Sequence, residues 1–134
     1  MQLVAYLNFP GTAREAMDFY AEALGGKVTQ RFTYGQSPMC EQMSEADRDK
    51  VMHSQVEVGA ALLMGADGPS PHAAGSTTVN VMPETPEEAE RIFAALAAGG
   101  EVTMPLEETF WAHRFGAITD RFGKRWMVNC LKPM

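Results

Sequence analysis

Cysteine is scarce: the 134-residue chain has two, Cys40 and Cys130, too few and too far apart for a disulfide framework or a zinc knuckle. Long apolar runs are absent as well. Each hydrophobic stretch is broken by glycine, proline or charge, well short of the roughly 20 residues that cross a bilayer. Met1-Gln2-Leu3-Val4 has no basic region and already reads as the start of a strand, so no secretory leader is expected. Positive charge is in deficit, with 11 Lys and Arg against 17 Asp and Glu, a net charge of −6 and a pI near 5.0. Neutralising phosphates needs a basic surface, so no nucleic-acid partner is expected. The acidic balance suits a cationic or neutral small molecule, and ordinary solubility equally well. No Gly-x-Ser-x-Gly elbow is present to carry a serine nucleophile. These absences leave a folded, cytoplasmic protein with no membrane partner. A content of 46% hydrophobic and 21% charged residues is that of one domain, or of two small modules sharing a core.

What is present is an internal repeat. Thr12-x-x-Glu15 and Thr85-x-x-Glu88 both read as capping boxes, the second with Pro86 at the first helical position. Ala13, Ala16, Met17, Tyr20 and Leu24 form one apolar helical stripe; Ala89, Ile92, Phe93 and Leu96 form another. Gly25-Gly26 and Gly99-Gly100 end the two helices by supplying a left-handed conformation. An offset of 73 residues carries Thr12 onto Thr85, Tyr20 onto Phe93 and Gly26 onto Gly99. Strands are predicted before each helix (Leu3–Phe9, Thr77–Met82) and after each glycine pair (Lys27–Phe32, Glu101–Met104). Hairpins close both halves: Met52–Val58 turns at Gly59 into Ala60–Met64, and Phe115–Thr119 turns through Asp120-Arg121-Phe122-Gly123 into Arg125–Leu131. The expected class is α+β, with a first βαβββ module over 1–66, a linker over 67–76 and a second module over 77–134. The stretch Tyr34–Lys50 reads as a long irregular excursion, of a kind that borders a binding site or simply wanders over the surface.

Two such units, with Tyr6-Leu7-Asn8-Phe9, Ala16-Met17-Asp18-Phe19-Tyr20, Leu24-Gly25-Gly26, His53, Glu108-Thr109-Phe110-Trp111-Ala112-His113, Asp120-Arg121-Phe122-Gly123 and Trp126, resemble the vicinal oxygen chelate superfamily of glyoxalases, bleomycin resistance proteins and dioxygenases. The resemblance is to its PhnB-like branch and covers almost the whole chain. It implies two modules whose strands curl into an incomplete barrel around a cavity, and a homodimer. Members of the branch often carry a demethylubiquinone methyltransferase label. No Gly-x-Gly loop links a strand to a helix here to hold a nucleotide-like methyl donor.

The resemblance also implies where a divalent metal would sit. Its ligand positions carry over to Ala5, Thr78, Met127 and Leu63 or Met64. Alanine and leucine have no donor atom, neutral threonine is a poor ligand and thioethers prefer soft Cu(I), so no metal and no other cofactor is expected. A register slip brings Asn8 or Asn80 near, both weak neutral donors. A relocated divalent site from His53, His113 and Glu57 or Glu108 is the alternative, and would make the chain a lyase or isomerase.

Without a metal, catalysis needs an acid–base pair, for which His53, Glu108 and His113 are the candidates. Each has a structural alternative: a strand-end histidine, a solvated turn carboxylate like Glu107, a loop histidine. His72 falls in the linker and reads as solvent-exposed. Cys130 alternates onto the face of Trp126 and Val128 and reads as packing. Cys40, between methionines in the excursion, has no neighbouring base to activate it. A small-molecule cleft is the better fit to the aromatic and methionine content, with Trp111 and Phe110 as ring surfaces and Asn80 and Asn129 as polar contacts. Three functions therefore stand at this point: a metal-free small-molecule-binding dimer, an enzyme, and a dimer whose cavity has no ligand.

Overall fold

A computed structural model describes residues 1–38, 40–68 and 77–133; the linker positions from 69 to 76, His72 among them, lie outside the described residues. The chain divides into two compact units, Met1–Ala73 and Ala74–Met134. In the first, β1 (Ala5–Phe9) leads to α1 (Ala13–Leu24), β2 (Lys27–Thr33), a short α2 (Glu45–Arg48), β3 (Val51–Val58) and β4 (Ala61–Asp67). In the second, β5 (Val79–Val81) leads to α3 (Pro86–Ala97), β6 (Glu101–Glu107), β7 (Ala112–Thr119) and β8 (Arg125–Leu131). The sheets run β1-β4-β3-β2 and β5-β8-β7-β6, each with its first strand parallel to its last and the other pairs antiparallel. The class is α+β, and each unit is an open four-stranded mixed sheet with the same topology.

Each helix covers one face of its own sheet. Ala13, Ala16, Met17 and Tyr20 are fully buried on α1, with Val51, Val56 and Leu63 among the buried strand residues. In the second unit Ala89, Ile92, Phe93 and Leu96 are buried on α3, as are Ile118, Trp126, Val128 and Cys130 on the strands. Each large apolar side chain removed from water contributes about 1.5–3 kcal/mol. The reach is close enough to demand missing side chains: a Cβ on Gly65 would lie 2.8 Å from Met17 Sδ, and one on Gly116 2.8 Å from Phe93 Cε2.

The caps differ from the expected pair. Thr85 Oγ1 accepts from Glu88 N at 3.2 Å, but Thr12 makes no side-chain cap. Its place is taken by Asp67, whose Oδ1 accepts from Gly11 N and Ala13 N at 2.9 Å while Oδ2 accepts from Val51 N at 2.9 Å. Asp67, the first residue of the expected linker, closes β4 opposite Phe9 and is 3% exposed. A buried carboxylate that takes three amide hydrogens ties β1, α1, β3 and β4 together, and a charged acceptor bonds more strongly than a hydroxyl.

In the two glycine pairs that follow the helices, Gly25 and Gly99 are the members that adopt positive φ, 74° and 77°. Gly26 and Gly100 have another duty: a Cβ on either would lie 2.3 Å from a backbone oxygen, Glu57 O or Thr119 O. The equivalence of Gly26 is thus to Gly100 and not to Gly99, because Ala98 is an extra residue after α3. The excursion is more ordered than expected. It holds short helical turns at Tyr34–Gln36, Cys40–Gln42 and α2, fastened by Tyr34 N to Lys50 O at 3.0 Å and Arg48 Nε to Cys40 O at 2.9 Å.

Candidate functional site

Strand alternation decides which side chains leave the helix-covered face. In the first unit Gly65 and Leu63 turn toward α1, so their neighbours Met64 and Ala66 face away. Cα pairing then places Met64 between Tyr6 and Gln55, and Asn8 beside Ala66, on this open side. His53 stands opposite Phe32 on β2. Tyr6 Oη lies 3.1 Å from His53 Nδ1, and His53 Nε2 lies 3.0 Å from Gln55 Oε1. The imidazole is thus held at both nitrogens by side chains, and not by backbone at a strand end. Tyr6 and Phe32 remain 45% exposed, which leaves them accessible. Partial burial pushes the Tyr6 phenol above its ordinary value, and Tyr34 adds to the rise.

A cleft of about 390 Å³ lies in the same unit, lined by Tyr34, Met43, Asp47, Lys50, Asp67 and Gly68. Tyr34 Oη donates to Asp67 O at 3.0 Å, and Lys50 pairs with Asp47 at 3.1 Å. The excursion thus forms one wall of a recess.

In the second unit Gly116 and Val128 turn toward α3, so Phe115, Ala117, Met127 and Asn129 face away. Asn80 joins them opposite Met127, and Asn129 stands opposite Phe115. The Trp111 ring meets Phe115 edge-on at 5.3 Å, and Phe110, 89% exposed, meets Trp111 at 4.9 Å. Three aromatic rings therefore lead up to Asn129. The loop that presents them is braced: Thr109 Oγ1 accepts from Ala112 N at 3.0 Å, and Trp111 O accepts from Lys132 N at 2.9 Å. Asn129 Oδ1 is buried without a hydrogen-bond partner. An amide acceptor left this way costs about 1–3 kcal/mol, so it marks a place where a donor belongs.

The remaining candidates have other neighbours. Glu108 pairs with Lys132 at 3.1 Å, and that ammonium, first by hydrogen bond and then by charge, holds its carboxyl below the usual value. His113 stands at an irregularity in β7 between Ala112 and Arg114, and its carbonyl accepts from Arg114 Nη1 at 2.7 Å. Glu107 ends β6 opposite Phe115. Cys130 is 1% exposed on the helix-covered face, and Cys40 is half-buried. The Asp120-to-Trp126 motif is structural: Asp120 Oδ1 accepts from Phe122 N and Lys124 N, and Oδ2 from Trp126 Nε1 at 2.8 Å.

A family model for the glyoxalase/bleomycin resistance protein/dioxygenase superfamily matches residues 3–128. The chain belongs to this superfamily. It is 34% identical to Protein YjdN of Escherichia coli (strain K12), a match covering 98% of this chain and 97% of that one. Protein PA1353 from Pseudomonas aeruginosa is 41% identical in its crystal structure, with a TM-score of 0.89 over 99% of both chains. The PhnB protein from Bacillus cereus shares the fold at 24% identity, with a TM-score of 0.79 over 97% of this chain and 99% of that one.

The superfamily's metal positions can now be tested against pairing. Ala5 lies opposite Leu63, which is buried on the helix side, so Ala5 cannot face the open side; Tyr6, opposite Met64, does. Thr78 precedes β5, and the residue opposite Met127 is Asn80. At these positions the first unit offers the Tyr6 phenol and the Met64 thioether and the second the Asn80 amide and the Met127 thioether, none of which suits a divalent ion that wants imidazole and carboxylate. Among the described residues, no three side chains of His, Cys, Asp or Glu gather closely enough to hold one. Sequence reasoning missed Tyr6 and Gln55. The signal was their parity with His53 and Met64, which needs the strand register to be read.

Proposed function

We propose that this superfamily member is a small-molecule-binding protein, working as a homodimer in the cytoplasm, that holds its ligand with side chains and without a divalent metal. The observation that carries the reading is the buried, unpartnered Asn129 Oδ1 at the end of the Phe110, Trp111 and Phe115 rings. Rings supply contact area for a flat or apolar body, and the orphan acceptor selects an N–H or O–H on it. Asn80, on the same open side, offers a second polar contact. The net charge of −6 favours ligands that arrive neutral or cationic.

The test is a thermal-shift screen of aromatic compounds bearing N–H or O–H donors, on the chain and on Asn129→Leu. A ligand present at 100 times its dissociation constant stabilises by about 2.7 kcal/mol. The reading expects at least one compound to stabilise the chain and that response to be lost in Asn129→Leu. A response undiminished in the variant, or none from any compound, contradicts it.

A further inference from the structure

We propose that Tyr6 and His53 form a proton relay that captures acidic hydroxyl compounds, phenols and enols, as their anions on the open face of the first unit. The inference goes beyond the Asn129 reading: it adds a second ligand surface, of named class, on the first unit. Gln55 Oε1 faces His53 Nε2, and an amide oxygen only accepts, so Nε2 carries a hydrogen. The neutral ring then turns the Nδ1 lone pair to Tyr6, whose hydroxyl donates into it. What Tyr6 presents outward is an oxygen with lone pairs, for which the fitting ligand group is an O–H. Phe32 and Met64, on the same side, offer apolar surface to the ring that bears it.

The step balances without any redox partner. The ligand O–H bond breaks and its proton joins Tyr6 Oη as the Tyr6 hydroxyl proton moves to His53 Nδ1. The products are a ligand anion that accepts from the Tyr6 hydroxyl, and an imidazolium behind it. Tyr6 passes protons without itself ionising, because partial burial and Tyr34 keep its phenol protonated. Around the relay, β1 contributes neutral Asn8, β4 Met64 and β2 Phe32. Glu57, two residues beyond Gln55 on β3, and Lys27, opposite it on β2, are the charged groups paired at this end of the sheet.

The experiment uses 4-nitrophenol, whose anion is read directly by its yellow absorbance. The full chain is titrated at a pH where the free probe is about one-tenth ionised. The relay expects a several-fold rise in the ionised fraction of bound probe, the effect of a positive charge that shifts a neighbouring acid by about one unit or more. His53→Gln keeps a hydrogen-bonding partner for Tyr6 but cannot take a proton, so it binds the probe with its ionisation unchanged; Tyr6→Phe loses the rise as well. Probe bound to the wild-type chain without extra ionisation overturns the relay and leaves the binding reading intact. Failure of the probe to bind also overturns the relay, while the Asn129 screen judges the broader reading separately. Ionisation that persists in both variants assigns the effect elsewhere and overturns it too. The wild-type titration decides the matter even where a variant loses stability.

Discussion

Asn129 is where a side chain is kept at a cost. Its neighbours on β8, Val128 and Cys130, are buried and satisfied, whereas its own oxygen is buried and unpaired. Asn129→Leu removes the orphan acceptor and should raise stability by about 1 kcal/mol, seen as a rise of a few degrees in the melting temperature. A fall would mean that the amide is structural. Tyr6 gives the second residue-scale prediction. Its phenol titrates above the ordinary 10.0 because the folded chain favours the neutral form. Its contribution to stability is therefore complete below about pH 10 and declines as pH rises through the higher folded value. An alkaline absorbance titration should lose one tyrosine ionisation lying above 10.0 in Tyr6→Phe, and an unchanged alkaline end of the curve would contradict it.

Among the elements, the two helix starts look alike on paper and are built differently. Thr85→Ala should cost about 1 kcal/mol, the usual value of a lost cap, while Thr12→Ala should cost close to nothing. Asp67→Asn should cost about 3 kcal/mol or more, because an amide meets at least one of three buried N–H groups with its own donor. Denaturant melts of the three variants check the ranking. The elements themselves were legible: apolar periodicity placed both helices and turn glycines placed the hairpin turns, while β4 runs three residues past the expected Met64 and β7 starts three before the expected Phe115. What sequence could not show was anything resting on contacts distant along the chain. Thr12 has the right spacing for a capping box, yet a carboxylate 55 positions later reaches its helix first. Ala5 and Thr78 were carried over from the superfamily's pattern; pairing puts Tyr6, one residue on, and Asn80, two residues on, opposite Met64 and Met127, and the one-residue slip on β1 exchanges the strand's faces. The candidate site was half visible for the same reason. Trp111, Asn80 and Asn129 were candidates from residue type and position, whereas Tyr6 and Gln55 became candidates only when His53 acquired neighbours.

For the whole molecule, the duplicated unit keeps its framework while the side chains on the open faces diverge. Phenol, imidazole and amide occupy one sheet; amides and aromatic rings occupy the other. At the strand positions where the superfamily holds a divalent ion, both sheets carry phenol, amide or thioether in place of imidazole and carboxylate. A light-scattering mass near twice 14.7 kDa at micromolar concentration is expected for the proposed dimer, and a mass near one chain contradicts it. The most direct measurement is 4-nitrophenol binding by the intact chain before and after removal of metals with a chelator, with metal content determined on both samples. Ligand capture by side chains predicts the same affinity in each. Loss of binding on chelation, restored by one equivalent of a divalent cation, would contradict it.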